Sequence, residues 1–437
     1  MREKWSAHDD YAGAFRCIGG KCEDTCCAGW TVPVDQPTYE KYLQLAPSPL
    51  GRLIQGSVEA MPPGAGGAKP SAFARLKMNE GNQCPLLSAD RLCRVHGELG
   101  EGLLSHACAV YPRIAHTSAG IEERALSLSC PEAARLLLLT PHLRLPAERP
   151  PATSGEAAKC GANPLLAWYW PIRKAIVNLV RNRQYPMWQR LFLLGILCRR
   201  LDSIAAGELH RTAMDFLRDF EATVATGALQ GQMDALPIDN QAQLDVVLRL
   251  AGMMLHRSNV RPRFVECIQA FTAGIGNGPQ ATLESLAAHY ALVQEQYFAP
   301  FVRRSPYILE NYLLNTIVRC RFPFGREAMQ EGSAYSMMRQ FSLLAAQFAL
   351  MRGLLIGVAG FHGKDFSPAH VVHAVQAASK HFEHHPEFLS DAHALLVESR
   401  MDGARGLAIL LRDAEPSAPT PPALRRSAPD PQAQRPN

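Results

Sequence analysis

A chain of 437 residues in which 47% are hydrophobic and 19% charged has enough apolar material for a real core, so disorder of the whole chain is excluded. It is too long for one ordinary core and is expected to divide into domains or to carry a large helical extension. The formal charge of +5 is small for this length, and Arg425, Arg426 and Arg435 near the C-terminus face only Asp430, so the charge gives no reason to expect nucleic acid as a partner.

The first ten residues, Met1 to Asp10, contain no apolar stretch after a positive start, and no signal peptide is expected. The longest apolar runs, Leu191 to Cys198 and Phe341 to Met351, fall short of the roughly 18 to 20 residues that a membrane helix needs. The expectation is a cytoplasmic chain with no membrane partner.

The first chemically dense segment is Phe15-Arg16-Cys17-Ile18-Gly19-Gly20-Lys21-Cys22-Glu23-Asp24-Thr25-Cys26-Cys27-Ala28-Gly29-Trp30. Its four thiols, with two adjacent glycines between them, can wrap one ion or cluster without long-range folding. After a Gly/Pro loop from Met61 to Pro70 come Cys84-Pro85, Cys93 with His96, Cys108 with Tyr111-Pro112-Arg113, and Cys130-Pro131. Ile114 to Ser118 and Ile121 to Leu128, separated by Ala119-Gly120, read as one hairpin.

Eight of the twelve cysteines thus fall in the first 130 residues. In a large chain without an export signal this points to metal or redox chemistry rather than disulfides. Cys17, Cys22, Cys26, Cys27, Cys84, Cys93, Cys108 and Cys130 are the candidate ligands, and soft thiolates select zinc, copper(I) or iron–sulfur clusters. The paired short spacings of a zinc ribbon are absent, whereas Cys-Pro also follows the last ligand in bacterial ferredoxin runs, which favours one [4Fe–4S] cluster with zinc as the alternative. Eight thiols exceed the four that one cluster needs, so some have another role. His96 and His106 read as hydrogen-bonding neighbours of the site. The plain alternative is a set of reduced buried cysteines, since vicinal Cys26 and Cys27 make ordinary disulfide pairing awkward. Cys160, Cys198, Cys267 and Cys320, scattered singly, read as small buried apolar residues.

Further along, Pro141 to Gly161 carries four prolines and reads as a linker. From Asn163 to Leu411 apolar residues recur at helical spacing, as in Leu244, Val247, Leu248, Leu250 and Ala251. Gly274-Ile275-Gly276-Asn277-Gly278 follows a helical rather than a strand-like segment and reads as a helix-ending turn, not a donor-binding loop. Ser367-Pro368 starts a helix that should stop before Pro386. His370, His373, His381 and His384 share one face of it, but at 1.5 Å per residue the two pairs lie about 12 Å apart, so a solvated stripe is expected rather than one site. No internal repeat is visible. The expected architecture is mostly α. A cysteine-rich metal-binding domain with little β occupies 1–140, followed by a linker at 141–161, an irregular helical domain at 162–413 and a disordered Pro/Ala-rich tail at 414–437.

Several motifs resemble those of the flagellin lysine-N-methylases: Cys22-Glu23-Asp24-Thr25-Cys26-Cys27-Ala28-Gly29-Trp30, Gln83-Cys84-Pro85-Leu86, Leu103-Leu104-Ser105-His106-Ala107-Cys108-Ala109-Val110-Tyr111-Pro112-Arg113 and Leu128-Ser129-Cys130-Pro131-Glu132-Ala133-Ala134. Shorter zinc- or iron-chelating domains are similar in the cysteine scheme, but Leu309-Glu310-Asn311-Tyr312-Leu313 and Arg321-Phe322-Pro323-Phe324-Gly325 resemble the methylases alone. The likeness spans about residues 11 to 360, and the tail has no counterpart in it. It implies methyl transfer from S-adenosylmethionine to lysine ε-amines of flagellin, with an iron–sulfur centre in the cysteine region.

Lysine methylation is a polar displacement by a neutral amine, so the site must lower a pKa near 10.4 or accept the proton. Cys22, Cys26 and Cys27 lack the spacing of radical S-adenosylmethionine enzymes, so the metal's role is expected to be structural or redox-sensing. Glu310, Asn311, Tyr312 and Tyr111 are the candidates for orienting the amine, and no donor-binding residues are assigned. The competing reading is a non-catalytic metal or redox module whose helical half binds a protein partner.

Overall fold

The structure, a computed structural model, describes residues 10–62, 72–118, 121–145, 168–204, 209–256, 260–325, 335–385 and 387–413. Most of the expected 61–70 loop, the linker from 146 onward, Cys160 and the tail from 414 lie outside the described residues. The chain is mostly α, as the sequence predicts.

At the centre runs one long helix, Met337–His362. Ser336 caps it by accepting the Arg339 amide, and the Asp202 carboxylate accepts the amides of Met337 and Met338, both at 2.8 Å. The Met337–Asp365 segment is long and apolar enough to cross a membrane, a length that the short apolar runs conceal, but its apolar window is wholly buried in the fold. It is a core helix. The helices Met187–Asp202, Asn240–Leu255, Pro262–Gly274 and Pro368–Phe382 pack around it.

Small residues permit the closest of these crossings. A Cβ on Gly274 would lie 1.8 Å from the Gly357 carbonyl oxygen, and one on Gly360 would lie 2.5 Å from the Gly274 oxygen. Gly274 therefore serves packing, and Gly276 at φ +76° turns the chain out of the helix, which fits the reading of this stretch as a helix end. Gly274→Ala is expected to destabilise the fold by about 3 kcal/mol, overriding the roughly 1 kcal/mol by which alanine favours a helix. Chemical denaturation measures it.

The first 140 residues are divided between two cores. Strands β1 (Pro33–Val34), β2 (Val58–Ala60) and β3 (Ala74–Leu76) form a small antiparallel sheet in the order β1-β3-β2. With the helices Gln36–Leu43 and Pro49–Ser57 this sheet encloses Val32, Val34, Tyr42, Leu50, Ile54, Leu76 and Leu86. Strands β4 (Arg113–Ser118) and β5 (Ile121–Leu126) make the expected hairpin, Arg113 opposite Leu126. Leu126, Leu128 and the helix Pro131–Leu138 belong instead to the large helical core, although the sequence placed them with the cysteine segment.

A buried polar network fastens the hairpin to the helices. Glu123 receives the Tyr169 hydroxyl, the Arg173 guanidinium at 2.9 Å and His116 at 3.3 Å. Asn315 bonds both polar groups of the Leu126 backbone, donating to its carbonyl at 2.9 Å and accepting its amide at 3.0 Å.

Candidate functional site

All eight N-terminal cysteines line one cavity of about 460 Å³. Residues from distant parts of the first 131 positions also face it, among them Trp30, Tyr42, His96, Tyr111, Arg113 and Pro131. His106 does not line it, and its backbone amide is held by Asp35 at 2.7 Å. All eight thiols are free. Among the described residues, no three Cys, His, Asp or Glu side chains stand in an arrangement that could hold a metal ion as they are.

The thiols fall into two sets by the apolar material around them. Cys84 is part of the small core, and Cys27, Cys93 and Cys108 pack against it. The backbone fixes this set: the Cys84 amide donates to the Cys27 carbonyl at 2.8 Å, and Cys93 bridges to Leu87. Ser105 caps the short helix His106–Val110 that carries Cys108. Cys130 belongs to the large core, while Cys17, Cys22 and Cys26 belong to neither, Cys17 and Cys26 being exposed.

Electrostatics separates individual thiols as well. Cys27 lies between Cys26 and Cys93 and shares hydrogen bonds with both, which lowers Cys26 to about 7 and Cys93 to about 6 while driving Cys27 upward. Burial raises Cys84 to about 11 and Cys108 and Cys130 to about 12.

The helix Pro368–Phe382 holds the cavity wall. Gln376 and Lys380, one turn apart on its face, both reach Asp24: Lys380 Nζ at 2.7 Å and Gln376 Nε2 at 2.8 Å. Lys380 also donates to the Thr25 carbonyl at 2.8 Å and Gln376 to the Ser129 carbonyl at 3.0 Å. Burial by itself would raise the Asp24 pKa, but the Lys380 charge and these hydrogen bonds outweigh it and hold the carboxyl below its usual range. Just past the helix end, His384 stacks on Trp30 with ring centroids 5.4 Å apart and meets the Ser129 hydroxyl at 3.0 Å. Trp30 in turn donates to the Cys26 carbonyl at 2.8 Å. A second tie joins Arg261 to the Asn82 carbonyl at 2.8 Å, and a third joins Arg135 to Glu23 at 2.5 Å.

These contacts correct the expectation of a solvated histidine stripe. His381 is buried against Phe264 and accepts the Arg261 amide, and His384 is part of the joint with the cavity. Only the first pair faces outward: His370 stacks on His362 at 3.6 Å, and half-buried His373 meets Glu266 at 3.6 Å. Of the residues proposed to orient an amine, Tyr111 lines the cavity and the other three do not. Glu310 is paired with Arg183 and Arg190, both at 3.0 Å. Asn311 holds the carbonyls of Leu137 and Thr140, and Tyr312 is buried in the core. Cys198 and Cys267 are buried as expected, whereas Cys320 is half-buried.

Sequence reasoning missed Asp24, Gln376, Lys380 and the two serines of the Ser127-Leu128-Ser129 turn. The i, i+4 spacing of Gln376 and Lys380 was visible, but nothing in it says that the face is buried.

Residues 173–410 match the family described as the FliB lysine N-methylase C-terminal domain. A lysine-N-methylase of Salmonella typhimurium is 25% identical over 279 residues, covering 61% of this chain and 67% of that protein. The flagellar biosynthetic protein FliU of Salmonella muenchen is 32% identical over 142 residues, covering 32% of this chain and 81% of that one. No solved structure matches.

Proposed function

The chain belongs to the FliB lysine N-methylase family, and on that premise we propose that it methylates lysine ε-amines of flagellin in the cytoplasm, with S-adenosylmethionine as donor. The observation that carries the reading is that the family region supplies Gln376 and Lys380, which hold the wall of the thiol cavity, so the family region and the cavity form one unit.

Methyl transfer needs an aligned donor, a neutral amine and little water. The cavity offers the ring of Tyr111, stacked on Trp30 at 6.0 Å, for a sulfonium cation, and Arg16, Arg91 and Arg113 for a carboxylate. The amine nitrogen attacks the methyl carbon, the carbon–sulfur bond breaks with its electrons going to sulfur, and the amine proton leaves.

The donor set fits a soft metal by its chemistry, since eight thiols with no disulfide among them face one space. We assign Cys27, Cys84, Cys93 and Cys108 as the residues that would hold an iron–sulfur cluster, or zinc in its place, because these four share one core. When bound, the metal would cross-link the segments that carry these four cysteines. Cys17, Cys22, Cys26 and Cys130 remain for the wall that faces the reactants.

The test is anaerobic incubation of the purified chain with labelled S-adenosylmethionine and unmodified flagellin, with the metal content and ultraviolet–visible spectrum recorded. Label on flagellin lysines is expected. Cys84→Ser should lose most of the metal, whereas Cys17→Ser should keep it. A metal-loaded chain that moves no label would favour the non-catalytic module instead.

A further inference from the structure

A partly buried hydrogen-bond chain leads from the cavity wall into the helical core. The Tyr111 hydroxyl lies 2.9 Å from Ser129 Oγ, Ser129 Oγ lies 2.6 Å from Ser127 Oγ, and Ser127 Oγ donates to Glu383 Oε2 at 2.6 Å. His384 Nε2 approaches the same Ser129 oxygen at 3.0 Å. The proton positions follow from counting. Ser127 has one hydroxyl hydrogen, and the carboxylate takes it, so Ser127 must accept from Ser129. Ser129 has then used its own hydrogen and must accept from both Tyr111 and His384 Nε2–H. Every hydroxyl therefore points its proton toward Glu383.

We propose that this chain is the proton exit for the methyl-acceptor lysine, running from Tyr111 through Ser129 and Ser127 to Glu383. The inference rests on the reading of the cavity as the methyl-transfer site. A lysine ammonium entering the cavity gives one proton to the Tyr111 oxygen as Tyr111 passes its own to Ser129, Ser129 to Ser127, and Ser127 to the Glu383 carboxylate. The freed amine attacks the methyl carbon of the sulfonium donor, the carbon–sulfur bond electrons leave with sulfur, and a methylammonium and a neutral thioether result. Once product leaves, the Glu383 proton returns along the same chain to water in the emptied cavity.

The surroundings suit a relay. Glu383 faces Arg319 at 3.5 Å from the helix Tyr307–Arg319, with Tyr312 of that helix also within its field. On its own segment it adjoins His384, with Lys380 one turn back, and Tyr111 faces it from beyond the serines, with Cys26 and Cys130 near that tyrosine. Arg319 sets a positive charge beside the terminal carboxylate, and the serines between it and Tyr111 are buried. Tyr111 touches the substrate in this scheme and is a catalytic residue, whereas Ser129, Ser127 and Glu383 act through it.

The test compares the wild-type chain with Ser127→Ala and Tyr111→Phe at pH 7 and pH 9, using labelled S-adenosylmethionine and flagellin. With the chain cut, the amine must arrive already neutral. Turnover should fall about 100-fold at pH 7, and the deficit should shrink to a few-fold at pH 9, where the free-amine fraction of a lysine with pKa near 10.4 is about 100 times larger. Ser127→Thr, which restores the hydroxyl, should recover the rate. Should Ser127→Ala fail to fold, Tyr111→Phe carries the same comparison with the Ser127–Glu383 bond intact. A deficit of equal size at both pH values, or none, overturns the relay while leaving the methylase standing. A wild-type chain that moves no label overturns both.

Discussion

Replacing Lys380 with methionine is expected to undock the cysteine loop from the helical half, costing about 3–5 kcal/mol, because it leaves the Asp24 carboxylate in a buried joint without its partner. The Lys380 side chain is 6% exposed and that of Asp24 17%, so solvent cannot replace the lost ammonium. One further bond fails with it, the Lys380 donation to the Thr25 carbonyl, and in the helical half Gln376 alone is left to hold Asp24. The effect should be local first: alkylation of Cys22, half-buried in the same loop, should quicken severalfold before any change in global unfolding. Lys380→Arg should keep most of the stability, and adding Asp24→Asn to Lys380→Met should recover part of the loss. A double-mutant cycle by denaturant titration measures the coupling, and additivity of the two single changes would refute the latch.

The second large effect concerns Glu123. Burial would raise its pKa, but the Arg173 charge and the hydrogen bonds from His116, Tyr169 and Arg173 overcome this and hold the carboxyl at about 2. A carboxyl depressed in the folded state stabilises it at pH values above the unfolded pKa, near 4.3, and loses that contribution as pH falls toward 2. Acid unfolding should therefore steepen between about pH 4 and pH 2. Glu123→Gln should flatten that window and cost about 3–5 kcal/mol at pH 7, since Arg173 is left buried and short of its counter-charge. Equilibrium unfolding followed across pH 2 to 7 tests both statements, and an unchanged acid limb in the variant would remove Glu123 from the account.

The helical majority and the hairpin were legible because each follows from local signals, apolar spacing at 3.6 residues and turn residues between alternating segments, and the eight thiols stood out by their number in the first 130 residues. The small sheet was not legible. Its strands are two or three residues long, too short to show a period, and β1 pairs with β3 across forty residues. The joint was hidden for a related reason. Asp24 and Lys380 look like ordinary surface charges in sequence, and only tertiary contact shows that they are buried together. Glu310 and Asn311 were singled out as candidates for orienting an amine, but a carboxylate or amide serves a structural role just as readily. Here Glu310 pairs with two arginines and Asn311 satisfies two carbonyls, and neither requirement is written near them in the chain.

The tie between Asp24 and Lys380 joins positions 356 residues apart. A ribosome adding roughly 5–20 residues per second needs about 20–70 s to cover that distance. For the last 250 residues of that stretch, from Cys130 to Lys380, all eight thiols have been synthesised but the helix that holds the wall of their cavity has not. If a metal is held there as proposed, its delivery has a natural window before the last helices arrive.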